Sequence, residues 1–354
     1  MRPAPRMRWP IGRGNRATTI ALGGVLLLAL LVVPPGLNNY AITLLTSVCV
    51  YAILGLGLNI VVGYAGLLDL GYAAFFAIGA YATAYLMTTY NLSFWLMLPI
   101  GAVLAALFGI IIGAPTLRLR SDYLAIVTLG FGEITRISVT NLDITGGPNG
   151  ISAIPQPTIA NFTFQTPLHY YYLILALTLV TLFCVARLAN SRIGRAWAYI
   201  REDELAAEAM GIDTVRMKLL AYALGAVWGG IAGCFQAVQF SAVSPDSFTF
   251  NQSVQILIVV VLGGLGSIPG VILGSVVVVV VPEILRDFAQ WRLLLFALAL
   301  IVLMIFRPEG LWPSRQRKRE MHSYDVALVG EPEAMAEAEL VESRESTVDG
   351  KRLQ

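Results

Sequence analysis

Residues 253–282 read SVQILIVVVLGGLGSIPGVILGSVVVVVVP, thirty residues without a single Asp, Glu, Lys or Arg. A helix needs about 20 apolar residues to cross the hydrocarbon core of a bilayer, so one straight helix of this length would overshoot it. The run is interrupted at residues 263–270 by GGLGSIPG, and such glycine and proline clusters punctuate helices. We therefore expect two short membrane helices that meet at a turn. The residues of this predicted break are Gly263, Gly264, Gly266 and Pro269.

The rest of the 354-residue chain is similarly apolar. Hydrophobic residues make up 57% of it and charged residues 13%, whereas an average soluble domain carries about 25% charged residues. This composition excludes a soluble enzyme or a nucleic-acid-binding module for most of the chain. Further apolar runs occupy residues 18–33, 40–62, 67–87, 94–113, 123–140, 170–187, 218–240 and 291–306. Together with the two short helices, they predict an all-α integral membrane protein with about ten membrane segments.

The distribution of basic residues predicts the orientation, because cytoplasmic loops carry the excess of Lys and Arg. The basic stretches all fall on one side of the ten-segment layout, and they are residues 1–17, 114–122, 188–217 and 307–319. Loops 141–169 and 241–252, on the other side, contain no Lys or Arg, and only Arg286 and Arg292 depart from the pattern. Both termini are therefore predicted to be cytoplasmic.

Three regions follow from this layout. Residues 1–17 form a basic N-terminus, residues 18–312 a transmembrane domain with the long loop 188–217, and residues 313–354 a tail. The tail carries nine acidic residues between positions 320 and 354. Such a segment cannot bury enough apolar surface to offset its ordering entropy, and we expect disorder. A short helix over 332–341 that docks on a partner is the alternative.

Glycines and a few polar side chains make some spans unusual. A second glycine cluster at residues 63–71 either allows close helix packing or breaks a helix near the bilayer midplane, as in transporters. Candidate residues of a substrate path here are Asn59, Gly63, Gly66 and Asp69. Asp69 fits a helix-start carboxylate equally well. Glu133 and Arg136, spaced i and i+3, predict a structural ion pair rather than a proton relay.

The loop 188–217 contains a helix-forming sequence, DELAAEAMG at residues 203–211, with early acidic residues and a glycine stop. From pattern alone it is either a surface amphipathic helix or a docking element for a cytoplasmic partner. No Cys or His cluster and no nucleophile–base set is present, so we expect no metal site, no catalytic residue and no enzyme activity in this chain.

The residues Glu204, Ala207 and Gly211 reproduce the spacing E-x-x-A-x-x-x-G of permease subunits in ABC-type importers. Further matches extend in order over residues 40–312, and they include GLGLNIVVG at 55–63, LRLRSDYLAIVTLGFGEI at 117–134, TGGPNGI at 145–151, SPDSF at 244–248 and VVLGGLGS at 260–267. In these runs the chain resembles the branched-chain (hydrophobic) amino acid ABC permease family, and most of all the M-type subunits of leucine/isoleucine/valine uptake systems.

This resemblance implies a permease in a bacterial inner membrane that moves branched-chain or hydrophobic amino acids inward. A second homologous permease, two cytoplasmic ATPases and a periplasmic binding protein would be its partners, with no nucleic acid. The helix at Glu204–Ala207–Gly211 would be the coupling helix. The sequence has no G-x-x-x-x-G-K-[ST] phosphate loop, so ATP and Mg²⁺ would be bound by the ATPases, and this chain needs no cofactor.

Two loops on the predicted outer side are candidate docking surfaces for the binding protein, although a turn-forming role fits them equally well. Their residues are Gly146, Gly147, Asn149, Pro245 and Asp246. Two other functions stay open at this point. One is a urea or short-amide ABC permease on the same scaffold, and the other is an ion-coupled secondary transporter acting alone.

Overall fold

The computed structural model describes residues 34–116, 121–159 and 162–288, together with positions 294, 297, 298, 301, 305, 307 and 310–312. The predicted first span at 18–33, most of the last span at 291–306 and the terminal segments 1–17 and 313–354 lie outside the described residues.

The described part is mostly helical. Its α-helices are α1 (Asn39–Leu58), α2 (Ala73–Tyr90), α3 (Phe94–Thr116), α4 (Ser121–Asn141), α5 (Pro167–Ala189), α6 (Arg192–Glu202), α7 (Glu204–Ala209), α8 (Thr214–Phe240), α9 (Phe250–Gly263) and α10 (Ile268–Ile284). Short 3-10 turns occupy Pro34–Gly36, Asp143–Thr145, Gly147–Asn149, Pro245–Phe248 and Leu285–Phe288. Helix α1 continues into a π-helix at Asn59–Tyr64.

Among the described residues, four helices are long and apolar enough to cross a membrane: Asn39–Tyr64, Phe94–Pro115, Pro167–Ala189 and Thr214–Phe240. The uncharged stretch 253–282 lies in the two shorter apolar helices α9 and α10 and the turn between them. Gly264 and Gly266 between them adopt positive φ values of 117° and 76°, which favour glycine. The total of ten membrane segments stays a prediction.

Four two-residue strands depart from the all-α expectation. Strand β1 (Ile151–Ser152) pairs antiparallel with β4 (Ala242–Val243), and β2 (Thr158–Ile159) pairs with β3 (Phe162–Thr163). The first pair joins two loops that are far apart in sequence. Pairing gives partners to backbone groups that leave the helices, and this need explains strands too short for any sequence pattern to reveal.

Helix α8 lies at the centre and packs against α1, α2 and α3. Its small residues let backbones touch, because a Cβ atom at Gly79 would overlap the Gly230 carbonyl and one at Gly233 would overlap the backbone of α2. The Tyr72 hydroxyl donates to the Gly225 carbonyl at 2.8 Å and fixes the start of α2 to α8. Many of the glycines therefore serve close helix packing.

Candidate functional site

Helix α7, in the loop 188–217, is short and closed at both ends. The Asp203 carboxylate caps its N-terminus by accepting the Ala206 N–H at 3.0 Å. At the other end, the N–H of Gly211 donates to the Glu208 carbonyl at 2.9 Å and that of Ile212 to the Ala207 carbonyl at 3.1 Å. Gly211 has a φ of 82°, and no atom lies close to the position where a Cβ would stand. The glycine is thus required by the left-handed backbone at the helix end.

Two side chains tie α7 to the start of α8. The Glu204 carboxylate forms an ion pair with the ammonium of Lys218, which is buried. The Thr214 hydroxyl donates to the Glu208 carboxylate at 2.7 Å. Ala207 is 3% exposed, so its small side chain faces the chain's own interior. These contacts leave Leu205 and Met210 pointing outward, with 78% and 81% of their surface exposed.

Helix α6 connects the same loop to the early glycine cluster. Trp197 is fully buried and its indole N–H donates to the Met217 carbonyl at 2.7 Å, which holds α6 against α8. Near the end of α6, the Arg201 guanidinium donates to the Gly63 carbonyl at 2.7 Å. Gly66, with a φ of 72°, lies so near the Arg201 side chain that a Cβ would meet it.

The two glycine clusters, which we call the early break (residues 63–71) and the late break (residues 263–270), contact each other. The Gly266 N–H donates to Asn59 Oδ1 at 2.8 Å, and Asn59 is fully buried. A Cβ at Gly63 would overlap both the Asn59 amide and the Gly266 nitrogen. The chain returns to this place after the last predicted span. There the N–H groups of Leu311 and Trp312 donate to the Leu262 and Gly263 carbonyls at 2.8 and 3.0 Å.

Both breaks therefore lie at the end of the bundle that carries the loop 188–217, here called the break end. The early break follows the full length of α1 and its π-helix, and the late break follows α9. The position of the breaks relative to the bilayer midplane stays a prediction. The freed carbonyl of Gly63 finds its donor in α6, outside the long helices.

Asp69 occupies a separate position within the early break. Its side chain is 1% exposed, one carboxylate oxygen accepts the Gly71 N–H at 2.8 Å, and the other has no partner among the described residues. Helix α2 begins only at Ala73, so Asp69 closes a turn rather than capping a helix. The neighbouring Leu70 N–H donates to the Thr128 hydroxyl at 3.1 Å, which joins this turn to α4.

The opposite end of the bundle, here called the strand end, brings the two candidate docking loops together. Strands β1 and β4 pair Ile151 with Val243 and Ser152 with Ala242. Gly146 and Gly147 have positive φ values of 76° and 58°, as expected for turn residues. Asn149 and Asp246 are exposed, whereas Pro245 is buried. Of the five predicted docking residues, Asn149 and Asp246 thus offer accessible side chains.

The remaining polar candidates carry no further site. Arg136 and Glu133 form the expected ion pair, with an Nη2–Oε2 distance of 2.9 Å. No group of three or more His, Cys, Asp or Glu residues that could hold a metal occurs in the described part of the chain.

Sequence reasoning missed Arg201, Lys218 and Trp197 as site residues. Arg201 stands three positions before Glu204 in the run REDE at 201–204, so its proximity to the coupling motif was visible. Its partner at Gly63 was not, because 138 positions separate the two residues. Lys218 was likewise counted only as part of the positive charge of the loop.

The fold and this site define a helical membrane protein with a folded loop fixed to broken helices. Residues 40–307 match the family described as branched-chain amino acid transport system / permease component. The chain belongs to this family, and the resemblance found in the sequence is thereby confirmed.

Relatives of two kinds are similar to the chain. The high-affinity branched-chain amino acid transport system permease protein LivM of Salmonella typhimurium is 42% identical over 325 residues, which cover 84% of this chain and 76% of that protein. LivM of Escherichia coli is 44% identical over 315 residues, covering 81% and 74%. The permease protein LivH of Escherichia coli is 23% identical over 285 residues, covering 74% and 90%. No solved structure matches the chain.

Proposed function

We propose that this chain is a permease subunit of an ABC importer that moves branched-chain or hydrophobic amino acids inward across the plasma membrane. The observation that carries this proposal is the identity of 42–44% to proteins named as branched-chain amino acid permeases over most of both chains. The apolar helices supply the membrane domain, and the exposed helix α7 supplies a place for an ATPase to act.

The partners in this proposal follow the family. A second, LivH-like permease completes the translocation path, because relatives of both types match this chain. Two cytoplasmic ATPases bind ATP and Mg²⁺, and a binding protein delivers the amino acid. The break end then faces the cytoplasm and the strand end faces outward, with both termini cytoplasmic and ten membrane segments, as the basic residues predict.

The geometry of the break end supports a coupling mechanism. Leu205 and Met210 are exposed apolar side chains that an ATPase can contact. The ion pair between Glu204 and Lys218 fixes α7 to α8, so a displacement of α7 also moves the central helix α8. Arg201 passes the same displacement to the early break, and Asn59 passes it on to the late break. Closure of the ATPases thereby shifts both broken helices together.

The substrate path in this proposal runs along the apolar faces of the bundle. Gly63, Gly66 and Asp69 lie in the early break and Asn59 lies just before it, and this region moves together with Arg201 when the ATPases close. Asn59 Nδ2 and one Asp69 oxygen have no partner among the described residues. These two groups are able to bind the carboxylate and the ammonium of a passing amino acid.

The deciding experiment measures uptake of labelled leucine in cells with and without this chain, with isoleucine, glutamine and urea as competitors. The proposal expects ATP-dependent leucine uptake that is lost without the chain and is blocked by isoleucine but not by urea. If cells without the chain lose urea uptake and keep leucine uptake, the substrate is urea rather than an amino acid. Uptake that depends on a proton gradient rather than on ATP would favour a secondary transporter.

A further inference from the structure

A cavity of about 370 Å³ opens at the strand end, away from both breaks. It lies between α2, the end of α8, the turn Gly147–Asn149, strand β4 and the turn Pro245–Phe248. Its volume falls in the range of small-molecule sites, which run from about 300 to 1,000 Å³. Of the candidate site residues, Asn149, at the predicted docking surface, lines this cavity.

The lining of the cavity combines apolar walls with neutral polar groups. Phe240 and Phe248 line it. Phe248 is held in place by an edge contact with Phe76 and a tilted ring contact with Tyr81, at ring-centroid distances of 5.2 and 6.0 Å. The polar groups come from Asn149, Gln236, Ser244 and Ser247. No Lys, Arg, Asp or Glu is among the lining residues.

One polar atom in this lining lacks a partner. The Oε1 atom of Gln236 is buried and accepts no hydrogen bond from any described residue. Buried polar groups in proteins are almost always hydrogen-bonded, so an unpaired acceptor that lines a cavity indicates a missing donor. The Ser244 oxygen accepts the Asp246 N–H at 3.4 Å, which leaves the Ser244 hydroxyl proton free to be donated.

We propose that this cavity binds the zwitterion of an apolar α-amino acid, as a first station between the binding protein and the path through the membrane. The Gln236 amide oxygen accepts a hydrogen bond from the ammonium, while the hydroxyls of Ser244 and Ser247 donate to the carboxylate. The aromatic walls take the apolar side chain. An additional charge on the ligand finds no counter-ion in this lining, so acidic and basic amino acids bind poorly. This inference rests on the proposed function and adds a binding site to it.

The first test asks whether a ligand shields the cavity. Ala242→Cys, at an exposed lining position without a proposed polar contact, is introduced together with Cys184→Ser, because Cys184 is exposed whereas Cys49 and Cys234 are buried. The assembled transporter in nanodiscs, without binding protein, is treated with a charged thiol reagent while leucine is titrated to its solubility limit. Isoleucine, glutamate and lysine are compared with leucine at equal concentrations. The matched control is Ser152→Cys, which is exposed at the same end but does not line the cavity.

Leucine and isoleucine are expected to slow labelling of Ala242→Cys several-fold, with no effect from glutamate or lysine and none on the control Ser152→Cys, whose position is the strand partner of Ala242. Equal labelling with and without leucine would overturn the proposal. So would equal protection by all four amino acids. If the cysteine is protected only after binding protein is added, whether or not that protein carries an amino acid, the cavity is a docking surface. This result would also overturn the proposal.

The second test removes the unpaired acceptor. Gln236→Met keeps a similar volume, and Gln239→Met, on the same helix and outside the lining, is the matched control. A hydrogen bond to a charged group is worth about 1.5–3 kcal/mol, so the Kd of labelled leucine for the assembled complex, measured without binding protein, should rise about tenfold or more. An unchanged Kd would contradict the assignment. If the unaltered complex takes up no leucine when binding protein and ATP are supplied, the proposed function fails; if it does and these variants behave as their controls, only the cavity assignment fails.

Discussion

The break end and the strand end of this bundle are held together in different ways. At the break end, side chains from distant segments bind one another and the backbone: Arg201 to Gly63, Lys218 to Glu204 and Asn59 to Gly266. At the strand end, two loops meet through two-residue strands, and a cavity keeps an unpaired amide oxygen. Both ends keep unpaired polar atoms, since Asn59 Nδ2 and one Asp69 oxygen at the break end also lack partners among the described residues. The difference is that the break end links distant segments into one body, whereas the strand end opens a cavity.

This difference separates two tasks within one permease. In our account the break end transmits a displacement, so substitutions there should change how much amino acid is moved for each ATP. The strand end receives the cargo, so substitutions there should change apparent affinities and leave that ratio alone. Four substitutions test the separation, in order of decreasing expected effect.

Glu204→Arg should have the largest effect, because it replaces the partner of a buried ammonium with a second cation. Removing one partner of a buried ion pair lowers stability by about 3–5 kcal/mol. Because Glu204 is about half exposed, we expect a loss of stability at the lower end of this range. ATP-dependent leucine uptake should fall to the background level. The measurement is uptake in proteoliposomes together with the amount of ATPase that co-purifies with the permease.

The charge-swapped pair Glu204→Lys with Lys218→Glu serves as the control for this prediction. It restores opposite charges and should recover part of the uptake. Normal uptake by Glu204→Arg alone would contradict the role of this ion pair in coupling.

Arg201→Ala should have the next largest effect, because it leaves the Gly63 carbonyl without this charged donor. Hydrogen bonds to charged groups contribute about 1.5–3 kcal/mol, which corresponds to a fall in uptake of about 10- to 100-fold. ATPase activity stimulated by the binding protein should persist, so the amount of leucine moved for each ATP hydrolysed is the informative quantity.

The matched control for Arg201→Ala is Arg195→Ala, on the same helix. Arg195 is exposed and its guanidinium donates to the carbonyl of Asn190, within the same loop. It should leave the leucine-to-ATP ratio unchanged. Equal ratios in the two variants would show that Arg201 has no special part in transmission.

Gly211→Ala should have a smaller effect of a different kind. A non-glycine residue at a φ of 82° costs about 1 kcal/mol, and no neighbouring atom obstructs the methyl group. The free energy of unfolding of the permease should fall by that amount, with ATPase binding retained. Complete loss of the ATPase would instead show that the glycine is needed to fit a cleft in the partner.

Asp246→Ala should have the smallest effect, because the carboxylate is exposed at the strand end. Exposed charge pairs contribute about 0.2–1 kcal/mol, so the concentration of binding protein that half-saturates ATPase stimulation should rise about two- to fivefold. The maximal stimulation should not change. A lower leucine-to-ATP ratio in this variant would mean that the two ends do not have separate tasks.

The sequence predicted local features of the fold better than the contacts among them. Its glycine cluster at 263–270 predicted two short helices, because glycine and proline act on the backbone where they stand. The contact of that cluster with Asn59 spans 207 positions of the chain and has no local signal. The strands β1 and β4 were not predicted either, because two residues are too few to show the alternating pattern of a strand.

The motif Glu204–Ala207–Gly211 shows where the physical reasoning from sequence reached its limit. Its spacing and its glycine stop predicted a helix, and α7 lies there. The family resemblance implied that Glu204, Ala207 and Gly211 belong to a coupling helix. In the structure Ala207 packs inside the chain and Gly211 is needed for its left-handed backbone. Leu205 and Met210, which the motif does not include, are the exposed apolar side chains available to a partner. Burial of individual residues on a short helix depends on tertiary packing that spacing alone does not reveal.

The most direct test of the account is a distance measurement between spin labels at Ala209, exposed on α7, and Leu265, in the late break. It is made on the assembled transporter with Cys184→Ser, with and without ATP, and a label pair at Ala209 and Ser152 reports the distance between the two ends. The account predicts that ATP changes the distance from Ala209 to Ser152 and leaves the distance from Ala209 to Leu265 unchanged. With Arg201→Ala, ATP should change the second distance as well. A change between Ala209 and Leu265 on ATP binding to the permease that retains Arg201 would contradict the claim that the break end moves as one body.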